Sequence, residues 1–207
     1  MQKAKIILFG GSFDPIHIGH LRVAEVVVEK LQAGRLIFVP ARRSPHKQDM
    51  PTPGRHRAEM IERAIAGWAM FSVSDCELHR HEPSYTLDTI HHFRRQLGAD
   101  VDLFWLIGAD QLGAFDRWYH VHELLDACRV AVMHRAGYPP PDFDRFRGVF
   151  SPGQIAQLQR DAVETPLIDI SSTDIRRRLA LGDRCEDVLP EAVIHYIRAH
   201  HLYGCGD

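Results

Sequence analysis

The run GGSFDPIHIGH, Gly10–His20, follows a short apolar stretch and decides how the rest of the chain is read. Gly10 and Gly11 permit backbone geometries and close approaches that a side chain would block. A helix that begins near His17–Gly19 offers backbone N–H groups and the positive end of its dipole to an anion. His17 and His20 stand three residues apart at that helix start and project to one side of its first turn. The stretch therefore has the form of a turn between a buried first strand and a first helix, with phosphate as its natural guest.

Outward from this turn, short β-rich apolar runs alternate with segments of helical period, the pattern of a parallel sheet wrapped by helices. Strands are expected at Ile6–Phe9, Leu36–Val39, Phe71–Ser74, Leu103–Ile107, Arg129–Met133 and Leu167–Ile170. Their continuous hydrophobicity fits strands covered on both faces. Leu21, Ala24, Val27, Val28 and Leu31 recur at helical spacing, and further helices are expected at Arg57–Ala66, Thr86–Gln96, Thr173–Leu181 and Pro190–His200. Pro190 suits a first-turn position. The fold class is thus α/β, a doubly wound parallel sheet of Rossmann-like kind with a small C-terminal helical part. The whole chain, 1–207, reads as one domain, with 171–207 as a helical subdomain.

Two stretches fit neither pattern. ARRSPHKQDMPTPGR, 41–55, is a basic loop broken by prolines, and AGYPPPDFDRFRGVFSPG, 136–153, reads as a variable surface insertion.

Composition removes several function classes. Basic residues number 25 against 27 acidic, a net charge of -2, so no whole-molecule field draws the protein to nucleic acid or anionic lipid. The apolar part of the opening MQKAKIILFGG is too short for a signal peptide, and no later run reaches membrane-spanning length. Cys76, Cys128, Cys185 and Cys205 are scattered without a C-x-x-C pair, which suits a reducing cytosol. A cytoplasmic location is expected, with no membrane and no nucleic-acid partner.

The phosphate site implied by the turn is of neither common kind. G-x-G-x-x-G is absent, and GADQLG at Gly108–Gly113 has P-loop glycine spacing without the lysine. The two histidines also lack the spacing and the glutamate of H-E-x-x-H, which argues against zinc. Near the other end, SSTD from Ser171 has the form of a capping box, so Ser171 or Ser172 can start a helix. Its hydroxyls, backbone donors and Arg176 make an anion clamp. In an open α/β sheet, Asp110 after the fourth strand and the turn after the first strand share one edge.

H-x-G-H together with ISSTDIR, Ile170–Arg176, resembles the signatures of the nucleotidyltransferase superfamily. SPHK at Ser44–Lys47, PSYTLDT at Pro83–Thr89, GADQLGAFDRWY at Gly108–Tyr119 and HRAGYP at His134–Pro139 narrow the resemblance to nicotinate mononucleotide adenylyltransferases. These segments occur in the family's order and span nearly the whole chain. Departures are small: Ser12 stands where threonine is common, and Ser44 where proline is common.

The resemblance implies transfer of the adenylyl group of ATP to nicotinate mononucleotide, with pyrophosphate released and Mg2+ carried by ATP rather than by a protein cage. It implies ATP contacts from Gly10, Gly11, Ser12, Phe13, His17, His20, Gly108, Asp110, Ile170, Ser171, Ser172, Thr173 and Arg176, with His17, His20 and Arg176 as catalytic donors. For the acceptor it implies Ser12, Lys47, Tyr85, Thr86, Trp118, Tyr119 and Arg135, with Trp118 stacked on the pyridine ring. Other readings are a phosphopantetheine or nicotinamide mononucleotide adenylyltransferase, a cytidylyltransferase, and a nucleotide sensor without turnover.

Overall fold

The computed structural model describes residues 3–43, 52–81, 83–134 and 139–205. Lys47, Arg135 and the SPHK loop lie outside the described residues. In chain order the elements are β1 (Ala4–Gly11), α1 (Ile18–Leu31), β2 (Arg35–Pro40), α2 (Gly54–Ala64), β3 (Phe71–Val73), α3 (Thr86–Leu97) and β4 (Val101–Gly108). A 3-10 segment at Ala109–Arg117 follows, then α4 (Val121–Ala127), β5 (Arg129–Met133), α5 (Pro152–Arg160), β6 (Ala162–Val163), α6 (Ser172–Ala180) and α7 (Glu191–Ala199). A short 3-10 turn occupies Leu202–Gly204.

The six strands form one sheet in the order β3-β2-β1-β4-β5-β6, and every pairing is parallel. Because strand side chains alternate faces, neighbouring residues feed two different cores. Ile7, Phe9, Phe38 and Leu106 pack with α1, α2 and the C-terminal helices. Leu8, Val39, Trp105 and Ile107 pack with α3, α4 and Leu158 of α5. Covering both faces explains why the strands read as unbroken apolar runs.

Chain order reverses between β1 and β4, the strand pair beside which an open α/β sheet forms its crevice. The turn after β1 and the segment after β4 both open there.

Three expectations are corrected. The sixth strand is Ala162–Val163, paired through Val132 with Ala162 and Met133 with Val163, rather than Leu167–Ile170. Pro166 has no N–H for a ladder, and Leu167 is exposed, while Ile168 and Ile170 only pack against the core. The stretch 136–153 is not a surface insertion where it is described: Phe143, Phe146 and Phe150 are buried. Phe150 lies 5.8 Å from Phe115, and Phe115 5.3 Å from Trp118, so this stretch backs the 3-10 segment. Pro190 is the N-cap of α7 rather than a first-turn residue.

Candidate active site

Glycine at positions 10 and 11 is first a packing requirement. A Cβ on Gly10 would lie 2.2 Å from the Trp105 indole, and one on Gly11 would lie 2.9 Å from the Phe13 ring. Trp105 is thereby seated against β1, and the backbone of the turn lies open to the crevice. Phe13 adopts φ 47°, unusual for a bulky residue, and its buried ring packs edge-on to Phe9 and Phe38.

His17 is the N-cap of α1 and is buried. Its backbone N–H donates to His20 Nδ1 at 3.2 Å, and the two rings stack with centroids 3.7 Å apart. With Nδ1 accepting, a neutral His20 carries its proton on Nε2, a donor to an anion. Phe13, 5.1 Å away edge-on, fixes the His20 ring from another side. The helix start is less open than its sequence implies, because the Ile18 N–H is taken by the Val188 carbonyl at 2.9 Å.

The late motif meets this turn directly. Ser171 caps α6 by accepting from the Thr173 N–H at 3.2 Å, and Ser172 Oγ donates to the Pro15 carbonyl at 3.0 Å. Asp174 pairs with Arg177 at 3.1 Å instead of closing a capping box. Arg176 donates to the Asp14 carbonyl at 2.8 Å and reaches Thr173 Oγ1 at 3.4 Å.

These parts line one cleft of about 670 Å³. From the first turn come Gly10, Gly11, Ser12, Phe13, His17 and His20; from the sheet edge, Asp110; from the late motif, Ile170, Ser171, Ser172 and Thr173. Tyr85 and Thr86 at the start of α3, with Trp118 and Tyr119, line the same cleft. Tyr85 and Tyr119 stack at 4.3 Å, adding aromatic surface. Gly108 and Arg176 are not on the wall: Gly108 is buried opposite Met133, and Arg176 stands behind the turn it grips.

Several residues of this site escape a reading of the sequence. Arg57, 1% exposed, donates to the carbonyls of Ser12, Ala41 and Thr52 at 2.6, 2.7 and 2.7 Å, joining the loops after β1 and β2. Burial pushes its guanidinium below its usual pKa, against the raising influence of nearby Asp14. In sequence it is one charge among several on an exposed-looking helix.

Glu77, on the cleft wall and 3% exposed, accepts from Thr89 Oγ1 at 2.5 Å and faces Arg80 at 3.5 Å. Burial pushes its carboxyl above the ordinary value, with Thr89 and Arg80 opposing the shift. Asp14, also buried, accepts from the Thr52 N–H at 3.2 Å and from the Tyr203 hydroxyl at 2.6 Å. Its place inside F-D-P-I-H was the only available signal for any of the three.

A family model described as cytidylyltransferase-like matches residues 8–178. The protein named "Probable nicotinate-nucleotide adenylyltransferase" of Yersinia pestis (strain Pestoides F) is 38% identical over 206 residues, 95% of this chain and 94% of that one. A protein of the same name from Rhodopirellula baltica is 36% identical over 197 residues, covering 95% and 92%. Among solved structures, Plasmodium falciparum nicotinic acid mononucleotide adenylyltransferase complexed with NaAD aligns with a TM-score of 0.72 at 20% identity over 98% of both chains, a likeness of fold. The extent of the family match and the identity to these relatives together establish that the chain belongs to the cytidylyltransferase-like family and, within it, to the nicotinate-nucleotide adenylyltransferases.

Proposed function

We propose that the cleft joins the α-phosphorus of ATP to the phosphate of nicotinate mononucleotide, releasing pyrophosphate and forming nicotinate adenine dinucleotide for NAD biosynthesis. The observation that carries this reading is the convergence of the His17–His20 pair with the Ser171–Thr173 cap, from opposite ends of the chain, in a cleft that also holds Tyr85, Thr86, Trp118 and Tyr119.

A phosphate monoester has its second pKa near 6 and arrives at neutral pH largely as a dianion. The nucleophile therefore needs no general base. The protein's work is alignment of that oxygen with the α-phosphorus and stabilisation of the charge that gathers on the leaving pyrophosphate. His20 Nε2, His17 and the donors at the start of α6 serve the phosphates, with Arg176 holding the turn and cap together. The start of α3 at Thr86 gives an anionic pyridine carboxylate a favourable dipole end, so the acid substrate is preferred over the amide. Trp118 supplies the ring surface, with Lys47 and Arg135 as the acceptor phosphate's cations. Residues 171–207 act as a helical subdomain that carries the cap.

Among the described residues no group of three or more His, Cys, Asp and Glu side chains is arranged to hold a metal ion. An Mg2+ entering with ATP would be held by phosphate and water oxygens, with cleft hydroxyls as the available protein oxygens, and its charge would offset that of the phosphates. The cytoplasm is the place of action, a compartment suited to four free cysteines.

The test is pyrophosphate release from ATP with nicotinate mononucleotide, its amide and phosphopantetheine in parallel. Fastest turnover with the acid supports the proposal. Dominance of either other acceptor overturns it, as does ATP binding without turnover.

A further inference from the structure

The turn that carries the imidazole pair is held by a partly buried polar cluster whose members come from four distant segments. At its centre is Asp14, three residues before His17, buried at 7% exposure and on the cleft wall. Its backbone carbonyl accepts from Arg176, its Oδ2 from the Thr52 N–H, and its Oδ1 from the hydroxyl of Tyr203 at 2.6 Å. Arg57 stands close enough for Asp14 to oppose the desolvation of its guanidinium.

Tyr203 is the member with no evident reason to be there unless the contact matters. It lies in the 3-10 turn after α7, and its backbone is at φ 60°, ψ 27°, the left-handed region that a bulky side chain rarely occupies. His201, two residues earlier, is also left-handed, at φ 49°. Two such residues in one short turn direct a phenol at a carboxylate 189 positions away in the chain. The ring packs against the core shared by α1 and the C-terminal helices, so the hydroxyl is delivered on a fixed lever.

We propose that Tyr203 is a positioning residue of the adenylyl transfer: its hydroxyl locks Asp14, and through Asp14 sets the Phe13–His17 turn on which both imidazoles depend. The phenol is suited to the task because burial and the neighbouring carboxylate push its pKa well above the ordinary tyrosine value, so it remains a donor throughout the working range. An aligned donor matters more for charge stabilisation than for binding, since misplacement by a fraction of an ångström weakens the transition state first. Loss of the hydroxyl therefore lowers kcat and leaves KM nearly unchanged.

This inference rests on the proposed reaction, and the experiment separates the two. Wild type, Tyr203→Phe, Asp14→Asn and the double variant are compared by pyrophosphate release, with hydrogen exchange at residues 13–18 measured in the ligand-free protein. Phe keeps the ring and removes only the donor. Expected for Tyr203→Phe are a kcat about 10-fold lower, equivalent to about 1.4 kcal/mol, KM for both substrates within about 2-fold, and about 10-fold faster exchange at 13–18. The double variant should be no worse than the poorer single one.

A wild type without turnover defeats the functional reading, and the exchange data then judge the latch alone. An active wild type with unchanged kcat and exchange in Tyr203→Phe overturns the latch, as does a loss confined to KM or full additivity in the double variant. Should Tyr203→Phe fail to fold, exchange at 13–18 in Asp14→Asn decides: accelerated exchange supports the latch and unchanged exchange overturns it.

Discussion

Replacing Arg57 with methionine keeps most of the buried aliphatic stem and removes the guanidinium. Three strong hydrogen bonds disappear, to Thr52, Ser12 and Ala41 at 2.7, 2.6 and 2.7 Å, in a side chain only 1% exposed. A buried acceptor that loses its partner costs about 1–3 kcal/mol. Relief of the guanidinium's own desolvation, which already depresses its pKa, returns part of this. Asp14 meanwhile loses the favourable field of a nearby cation, and with three carbonyls left unpaired, less that relief, the net loss should be about 3–5 kcal/mol.

For a chain of this length that lowers Tm by roughly 10 °C. Urea unfolding at 25 °C, followed by far-UV circular dichroism, gives the free energy directly. Arg57→Lys retains the charge but can serve only part of the set of carbonyls, and should fall between the two. A loss below about 1 kcal/mol in Arg57→Met would refute the argument. Equality of Arg57→Lys with wild type would refute the part that depends on the planar fork.

Three other outcomes are expected. His20→Ala should fold, with a stability loss of no more than about 2 kcal/mol from the altered helix cap, yet turn over about 10²- to 10³-fold more slowly; a near-normal rate removes His20 from the chemistry. Gly10→Ala places a methyl 2.2 Å from Trp105 and should cost about 1–3 kcal/mol with altered tryptophan fluorescence, whereas Gly113→Ala, with open space around its Cβ, should cost little; equal effects would contradict the packing account. Glu77 has a raised native pKa, so the folded protein holds its proton more tightly than the unfolded chain, and stability falls as pH rises from about 4.5 toward the native value. Glu77→Gln escapes this penalty and should gain stability relative to wild type as pH rises above about 4.5 in urea titrations; a difference independent of pH would defeat the assignment.

The first five strands were legible because each is an apolar run whose pattern is written locally, and α1, α3, α6 and α7 because their stripes recur at helical spacing. The doubly wound parallel sheet expected from them stands, in the order β3-β2-β1-β4-β5 with β6 added at one edge. What failed locally depended on neighbours. Phe143, Phe146 and Phe150 lie among prolines and charges, and become core only because Phe115 and Leu158 come to meet them. The pair Ala162–Val163 is too short to carry a period and is a strand only because β5 offers it an edge.

The sequence by itself determined the α/β sheet, the glycine and histidine turn after its first strand and the serine-rich helix cap near the other end, since each is a matter of local period or of residue type at fixed spacing. The tertiary structure alone decided that Glu77 lines the cleft, that Arg57 ties the Ser12 carbonyl to the loop after β2, and that the Tyr203 hydroxyl reaches Asp14. A charged or phenolic side chain looks solvated in any one-dimensional reading. Its burial depends on which carbonyls and carboxylates from remote segments face it once the chain has closed, and no spacing within the sequence encodes that meeting.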